Sequence, residues 1–402
     1  MKNKFLILIL VILTSILTYS QSGFVSVRGK NIVDTAGKKL ILKGIGIGNW
    51  LVPEGYMFKF KKTSSPGLID KTLRELIGPA ETNKFWKKFR ENYITRNDIQ
   101  FLKQAGFNSI RVPFNFRLFA SEDNPEIFLE EGFVQLDKII SFCEEADLYV
   151  ILDMHCAPGG QTGDNIDDSF GYPFLFLDKE SQLLTINIWK RIAERYKDKT
   201  IITGYDLLNE PIAHYFDIDN LNPKLELFFK ELVNEIRKTD KNHIVFIGGA
   251  QWNSNFDVFG PPFDSLSVYT FHKYWTEPTL EVIQSYIDYR DRYNVPVWMG
   301  ESGENTNDWI YTFRNVLEEN EIGWCFWPYK KLDSDRGVVS IDTPDGWEKI
   351  QEYAEGDRST YSSIRESRPS REEVLNILSQ YLENCKFENC IINKEYLNAL
   401  GF

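Results

Sequence analysis

Histidine is scarce in this chain: four residues in 402, at His155, His214, His243 and His272, with no H-E-x-x-H pair and no clustered Cys/His spacing. Zinc motifs of that kind are thereby excluded, and neither a metal nor a cofactor is expected. Cysteine is sparse and odd in number, at Cys143, Cys156, Cys325, Cys385 and Cys390, which rules out a disulfide scaffold. Cys385 and Cys390, in CKFENC, are the one pair close enough in sequence to join in an oxidising compartment. Positive charge is outweighed, with 46 Lys and Arg against 58 Asp and Glu, a net −12, and no basic arm stands out. Nucleic acid and anionic membrane surfaces are therefore not expected partners. Nucleotide loops are missing as well: GIGIGN at 44–49 lacks the G-x-G-x-x-G order, and no Walker pattern occurs. Ser302 lies in GESGE, outside a G-x-S-x-G elbow. No internal repeat and no low-complexity tract is visible.

Long apolar runs are confined to the start, MKNKFLILILVILTSILTYSQSG. Two lysines, an unbroken apolar stretch from Phe5 to Leu13 and small or polar residues at Ser20 to Gly23 have the order of a secretory signal. Residues 1–20 are expected to be a signal peptide, and 21–402 one catalytic domain, secreted or periplasmic. No second stretch of about 20 apolar residues follows, so no stable membrane span is expected in the mature chain.

Eight strand-like runs then appear in order. They are KLILKGIGIGNW (39–50), FNSIRVPF (107–114), LYVILDMH (148–155), ITGYDLLNE (202–210), HIVFIGG (243–249), LSVYTFH (266–272), VPVWMGES (295–302) and IGWCFWPY (322–329). Most are continuously apolar, as strands covered on both faces must be. Amphipathic stretches such as FVQLDKIISFCEEA and LELFFKELVNEIRKTD lie between many of them. Strands alternating with helices make an α/β protein, and eight such units predict a closed (β/α)8 TIM barrel. Two connections exceed the minimum: 51–106 after the first strand, with a helix over FWKKFRENYITRNDIQFLKQAG, and 156–180 after the third. In the tail, Ser370 is placed to cap a closing helix that has Glu372 and Glu373 in its first turn.

In a barrel of this kind the chemistry sits at the C-terminal ends of the strands. Reading the ends in order gives Arg111, His155, Asn209 with Glu210, His272 with Tyr274, Glu301 and Trp327. Two carboxylates at strands four and seven are the apparatus for double displacement at a glycosidic carbon, one protonated and one ionised. Arg111 is the group to keep one of them charged, and which one is open at this level. His155 and His272 can orient or bind sugar hydroxyls, Asn209 can hold a 2-hydroxyl, and Trp327 offers an apolar floor. Asp153 and His155, at i and i+2, also have the spacing of a metal pair, but a hydrolase barrel accounts for them without an ion. Among the aromatics, Trp252 and Trp275 are the first candidates for subsite walls, ahead of Phe170, Tyr172, Phe174 and Phe176.

At these residues the chain resembles the family 5 glycoside hydrolases. The matching pieces are KGIGIGNW (43–50), GFNSIRVPFN (106–115), ILDMHCAPGGQTG (151–163), LLNEP (207–211), TFHKY (270–274), VWMGESG (297–303) and GWCFWPY (323–329). The resemblance implies that Glu210 is the acid/base and Glu301 the nucleophile, with Tyr274 donating a hydrogen bond to the latter. It also implies that Arg111, His155, Asn209, His272 and Trp327 complete the subsite around them. DMHCAPGGQTG is similar to the corresponding loop of the exo-β-1,3-glucanase branch, which implies a β-linked oligo- or polysaccharide, a β-glucan or short β-glucoside, as substrate. Cys156 departs from that branch, where glycine is common, and the long first connection is unlike a minimal cellulase. β-Mannan, xyloglucan and β-galactoside substrates, transglycosylation, and a carbohydrate-binding barrel without activity are the alternatives.

Overall fold

A computed structural model describes residues 23–402; the expected signal peptide lies outside the described residues. Eight parallel strands close into a barrel in which every strand pairs with its sequence neighbours and the last with the first. They are β1 (Lys43–Gly46), β2 (Ser109–Asn115), β3 (Tyr149–Cys156), β4 (Ile202–Asp206), β5 (Ile244–Gly248), β6 (Ser267–Lys273), β7 (Val297–Gly303) and β8 (Gly323–Trp327). Each coincides with one of the eight apolar runs, β2, β3, β6 and β7 continuing one residue past its end. Among the described residues no helix is long and apolar enough to cross a membrane.

The pleat sorts each strand between two apolar environments. On β3, Val150, Leu152 and Met154 pack outward into the shell of helices, while Ile151 joins Phe246, Trp298 and Cys325 in a separate cluster. Period-2 alternation then sends Asp153 and His155 the same way as Ile151, further along the strand. The hairpin Ser26–Arg28 with Asn31–Val33 contributes Val25 and Ile32 to that inner cluster and so plugs the N-terminal end. Polar side chains are left for the opposite mouth.

Helices follow most strands, among them Glu131–Ala146, Lys179–Tyr196, Ile218–Arg237 and Asn307–Glu319. The connection from β5 to β6 is different, because it holds only a short turn at 250–253 and no longer helix. The single helix expected over 85–106 is two, Pro79–Tyr93 and Arg96–Ala105. Ile94 and Thr95 are extended between them, and Asp98 takes hydrogen bonds from both the N–H (2.7 Å) and the hydroxyl (2.7 Å) of Thr95. Capping chemistry overrode a continuous apolar period.

Ser370 caps the closing helix Arg371–Asn384 by accepting from Glu373 N–H, and that helix packs back onto the first connection. There Phe58, Phe89, Trp347 and Tyr381 stack as one aromatic cluster. Cys385 and Cys390 are not bonded to each other: the Cys385 thiol faces the Leu382 carbonyl and the Cys390 thiol that of Lys386. A fully buried ion pair joins these parts. Lys330 Nζ lies 2.6 Å from Asp98 and donates to the carbonyls of Tyr93 (2.7 Å) and Cys385 (2.9 Å). Lys330→Met leaves Asp98 charged and unmatched, and is expected to lower unfolding stability by about 3–5 kcal/mol. Denaturant titration checks this; a loss under about 1 kcal/mol would mean that Asp98 is already satisfied by Tyr329 and Thr95.

Candidate active site

The mouth of the barrel opens into a cleft of about 730 Å³. Its floor begins at β2, where Arg111 stands as the third residue of the strand rather than after it, completely buried. The guanidinium donates from Nη1 to Glu301 (2.7 Å), from Nε to Asp206 (2.9 Å) and from Nη2 to Asn209 Oδ1 (2.8 Å), with Asp153 3.1 Å away. One cation thus holds three carboxylates. Burial outweighs its attraction for two of them and pushes Asp153 and Asp206 up to about 7.

Glu301 owes its aim to a bulge. Across β6, Phe271 pairs with Met299 and His272 with Glu301, so Gly300 is an extra residue on β7. The same extra residue shifts the register against β8. A bulge of this kind re-aims a side chain, and here it turns Glu301 toward Arg111 and toward the hydroxyl of Tyr274, which donates at 2.9 Å. Burial holds the Tyr274 phenol well above its ordinary range, so it remains a donor.

Glu210 lies beyond the end of β4 in a turn where both Glu210 (φ 45°) and Ile212 (φ 56°) are left-handed. Each such residue costs roughly 1–2 kcal/mol, and the loop after β3 offsets this with hydrogen bonds. Gln161 donates to the carbonyls of His155 and Asn209 (both 2.8 Å), and Thr162 donates to that of Glu210 (2.8 Å). The residues of that loop act on the backbone of the acid-bearing turn. The Glu210 carboxyl, nearly buried, meets His272 Nδ1 at 2.9 Å. Burial raises it to about 7, against smaller opposing effects of His155 and Arg111. His155 and His272 are driven down by burial, to about 4 and about 3, and both are neutral near pH 7.

One oxygen of Glu210, one of Glu301 and a ring nitrogen of His272 lie within 4.8 Å of one another. These three are also a conceivable ligand set, but the donor chemistry disfavours it: both Glu301 oxygens already accept bonds, and a guanidinium stands at 2.7 Å. Two carboxyl groups with oxygens this close can both reach one glycosidic bond.

Trp327 forms one wall. It stacks on His155 at 5.6 Å with rings 3° apart, and its indole N–H donates to Tyr56 (2.7 Å). The glycines of GIGIGN have their reason here. A Cβ on Gly46 or Gly48 would stand 2.5 or 2.2 Å from the Trp327 ring, so the motif makes room for an indole. Trp252 and Trp275 also line the cleft, Trp275 at 78% exposure.

Eight of the ten residues singled out from sequence line the cleft: His155, Glu210, Trp252, His272, Tyr274, Trp275, Glu301 and Trp327. Arg111 and Asn209 lie beneath it, and Asn209 commits its Oδ1 to Arg111, so only its Nδ2 is left for a hydroxyl. Phe170, Tyr172, Phe174 and Phe176 do not line it; Phe176 is core and Phe170 is exposed elsewhere on the long loop. Sequence reasoning missed Glu54, Tyr56, His214, Glu304 and Arg336 as lining residues. Glu304 pairs with Lys331 at 2.8 Å. Glu54 is 4% exposed with Oε1 unpartnered, and burial, then Glu301 and Glu210, hold its carboxyl well above the ordinary range.

A closed β/α barrel with paired carboxyls at strands four and seven defines a glycoside hydrolase site. Residues 72–333 match the model of the cellulase family, glycosyl hydrolase family 5. A β-xylosidase of Phanerodontia chrysosporium is 30% identical over 363 residues, covering 80% of this chain and 74% of that one. Endoglucanase C of Acetivibrio thermocellus is 27% identical over 311 residues, covering 62% and 88%. The structure of Thermotoga maritima Cel5A in complex with cellobiose superposes with a TM-score of 0.54 at 21% identity, over 78% of this chain and 97% of that one, which supports the fold. The protein belongs to glycosyl hydrolase family 5 and is an O-glycosyl hydrolase.

Proposed function

We propose that the protein is an exported retaining β-glycosidase acting on β-glucans or short β-glucosides. The observation that carries the mechanism is the spacing of Glu210 and Glu301, with oxygens within 4.8 Å of each other. Glu210, raised to about 7 by burial, holds a proton for the departing oxygen. Glu301, steered by Arg111 and Tyr274, attacks the anomeric carbon as the C–O bond breaks, giving a glycosyl ester. Water then gives its proton to Glu210 and attacks the same carbon, releasing Glu301 and a sugar of the original configuration. Trp327, Trp252 and Trp275 offer flat apolar faces to sugar rings. The lysine-led apolar run at the N-terminus supports export.

The test is a panel of β-1,3-, β-1,4- and mixed-linkage glucans, mannan, xyloglucan and aryl β-glucosides, xylosides and galactosides, with products followed by NMR. First-formed β-anomer, absent in Glu210→Gln and Glu301→Gln, is the expected result. First-formed α-anomer would exclude double displacement, and a xyloside, mannan or galactoside rate far above every glucoside would reassign the sugar.

A further inference from the structure

The turn after β5 is the most strained backbone near the cleft. Gln251 (φ 49°, ψ 66°), Trp252 (φ 62°, ψ 45°) and Asn253 (φ 55°) are consecutive, left-handed and not glycine. Left-handed residues of this kind normally occur singly. The turn is heavily braced. Ala250 and Asn255 exchange backbone hydrogen bonds (3.1 and 2.9 Å), and the Gln251 amide bonds Asn222 (2.8 Å) and Asn255 (2.8 Å). The Gln251 N–H donates to the carbonyl of Ile212 (2.9 Å), which ties the turn to the one that bears Glu210. Strain maintained at this expense marks a side chain whose aim matters.

The side chain so aimed is Asn253. It is completely buried, and its Nδ2 lies 3.1 Å from Nε2 of His272, whose Nδ1 faces Glu210. Gly248 makes the space, since a Cβ there would stand 2.2 Å from the Asn253 amide oxygen. His155 has a parallel setting, with Nδ1 on Asp153 at 2.8 Å and Nε2 facing Asn209 Nδ2 at 3.4 Å. A neutral imidazole that accepts at one nitrogen must donate at the other.

We infer that Asn253 is a positioning residue for proton delivery: its amide donates to His272 Nε2, fixes the Nδ1–H tautomer, and so makes His272 a donor to Glu210 Oε1. The acid proton is then carried on Glu210 Oε2, and the ionised form left after proton transfer is stabilised. The inference rests on Glu210 being the acid/base. Besides His272, the titratable or charged groups near Glu210 are His155, Asp153, Arg111, Glu301, Glu54 and Tyr274. An Asn253 substitution changes none of them.

The four histidines make the tautomer directly readable by nitrogen NMR of histidine-labelled protein, with His272→Gln used to assign its signals. Wild type is expected to show His272 protonated at Nδ1 and not at Nε2. Asn253→Leu, similar in shape but without a donor, is expected to shift that population toward Nε2–H. It should lower kcat/KM about ten- to hundredfold. The alkaline limb of kcat/KM should move to higher pH, because losing a donor to the carboxylate raises the pKa of Glu210. Gly248→Ala, which displaces the same amide, should do likewise, whereas Trp252→Ala should leave the tautomer as in wild type. Three results would overturn the inference: His272 already Nε2–H in wild type, an unchanged tautomer in both Asn253→Leu and Gly248→Ala, or a shifted tautomer with an unmoved alkaline limb. Full activity in Glu210→Gln would instead defeat the assignment of the acid/base, and the tautomer measurement would stand without it.

Discussion

Glu301→Ala is expected to lower kcat/KM on an aryl β-glycoside by on the order of 10⁴-fold or more, the scale on which covalent nucleophiles are missed. Azide should restore turnover and give the α-glycosyl azide. The reason is geometric. In the proposed double displacement Glu301 attacks from the face opposite the leaving group, so a small anion that enters the vacated place inverts the centre once. Glu210→Ala should behave differently with an activated aryl leaving group, whose oxygen needs no proton. The glycosyl ester then forms, its breakdown limits turnover, and azide attacks from the leaving-group side to give the β-azide. The pair of products assigns the two roles independently of rate. An α-azide from Glu210→Ala with a β-azide from Glu301→Ala would reverse them, and no loss in either variant would remove the carboxyl pair from the chemistry.

The eight strands were legible because burial on both faces writes a continuous apolar run, and each run coincides with one barrel strand. Their ends pointed to the cleft for a related reason. Alternation along β3 carries Ile151, Asp153 and His155 toward the barrel interior, so polar residues late in an apolar strand have the mouth as their solvent-facing exit. What sequence did not disclose depends on contacts across the barrel. Arg111 was recognisable as a partner for a carboxylate, but that it bonds Glu301, Asp206 and Asn209 together follows from three different strands converging. The bulge at Gly300 has no local signature beyond the glycine itself. The left-handed run at 251–253 contradicts the intrinsic preference of Gln251 and Trp252 and is held by tertiary hydrogen bonds. Glu54 and Arg336 come from connections whose paths periodicity cannot trace, and they reach the cleft through the layout of the first connection and the tail. The aromatics of 170–176 failed as subsite walls because composition gives a loop's chemistry without its direction.

Arg111→Met is expected to be the most damaging single change to stability. It removes a cation from a place with no access to water, leaving Asp153 and Asp206 completely buried without a counter-charge. Breaking a buried pair of this kind costs about 3–5 kcal/mol. The cost should depend on pH, and the sign follows from which state holds more protons. Asp153 and Asp206 titrate near 4 in an unfolded chain and near about 7 in the folded one, where burial is the largest cause. Between those values the folded protein binds more protons than the unfolded, so these groups make stability fall as pH rises through the window, and their full cost is present above it. Without Arg111 the opposing attraction is gone and both folded values rise further. The deficit of the variant should therefore be smallest below about pH 7, where both carboxyls are protonated in the folded protein with or without Arg111, and should grow as the pH rises above 7. Denaturant titrations of wild type and Arg111→Met at pH 5 and pH 8 measure this directly. A deficit that is equal at the two values would mean that the guanidinium acts through packing and hydrogen-bond geometry, and that its charge is not what the floor of the cleft requires.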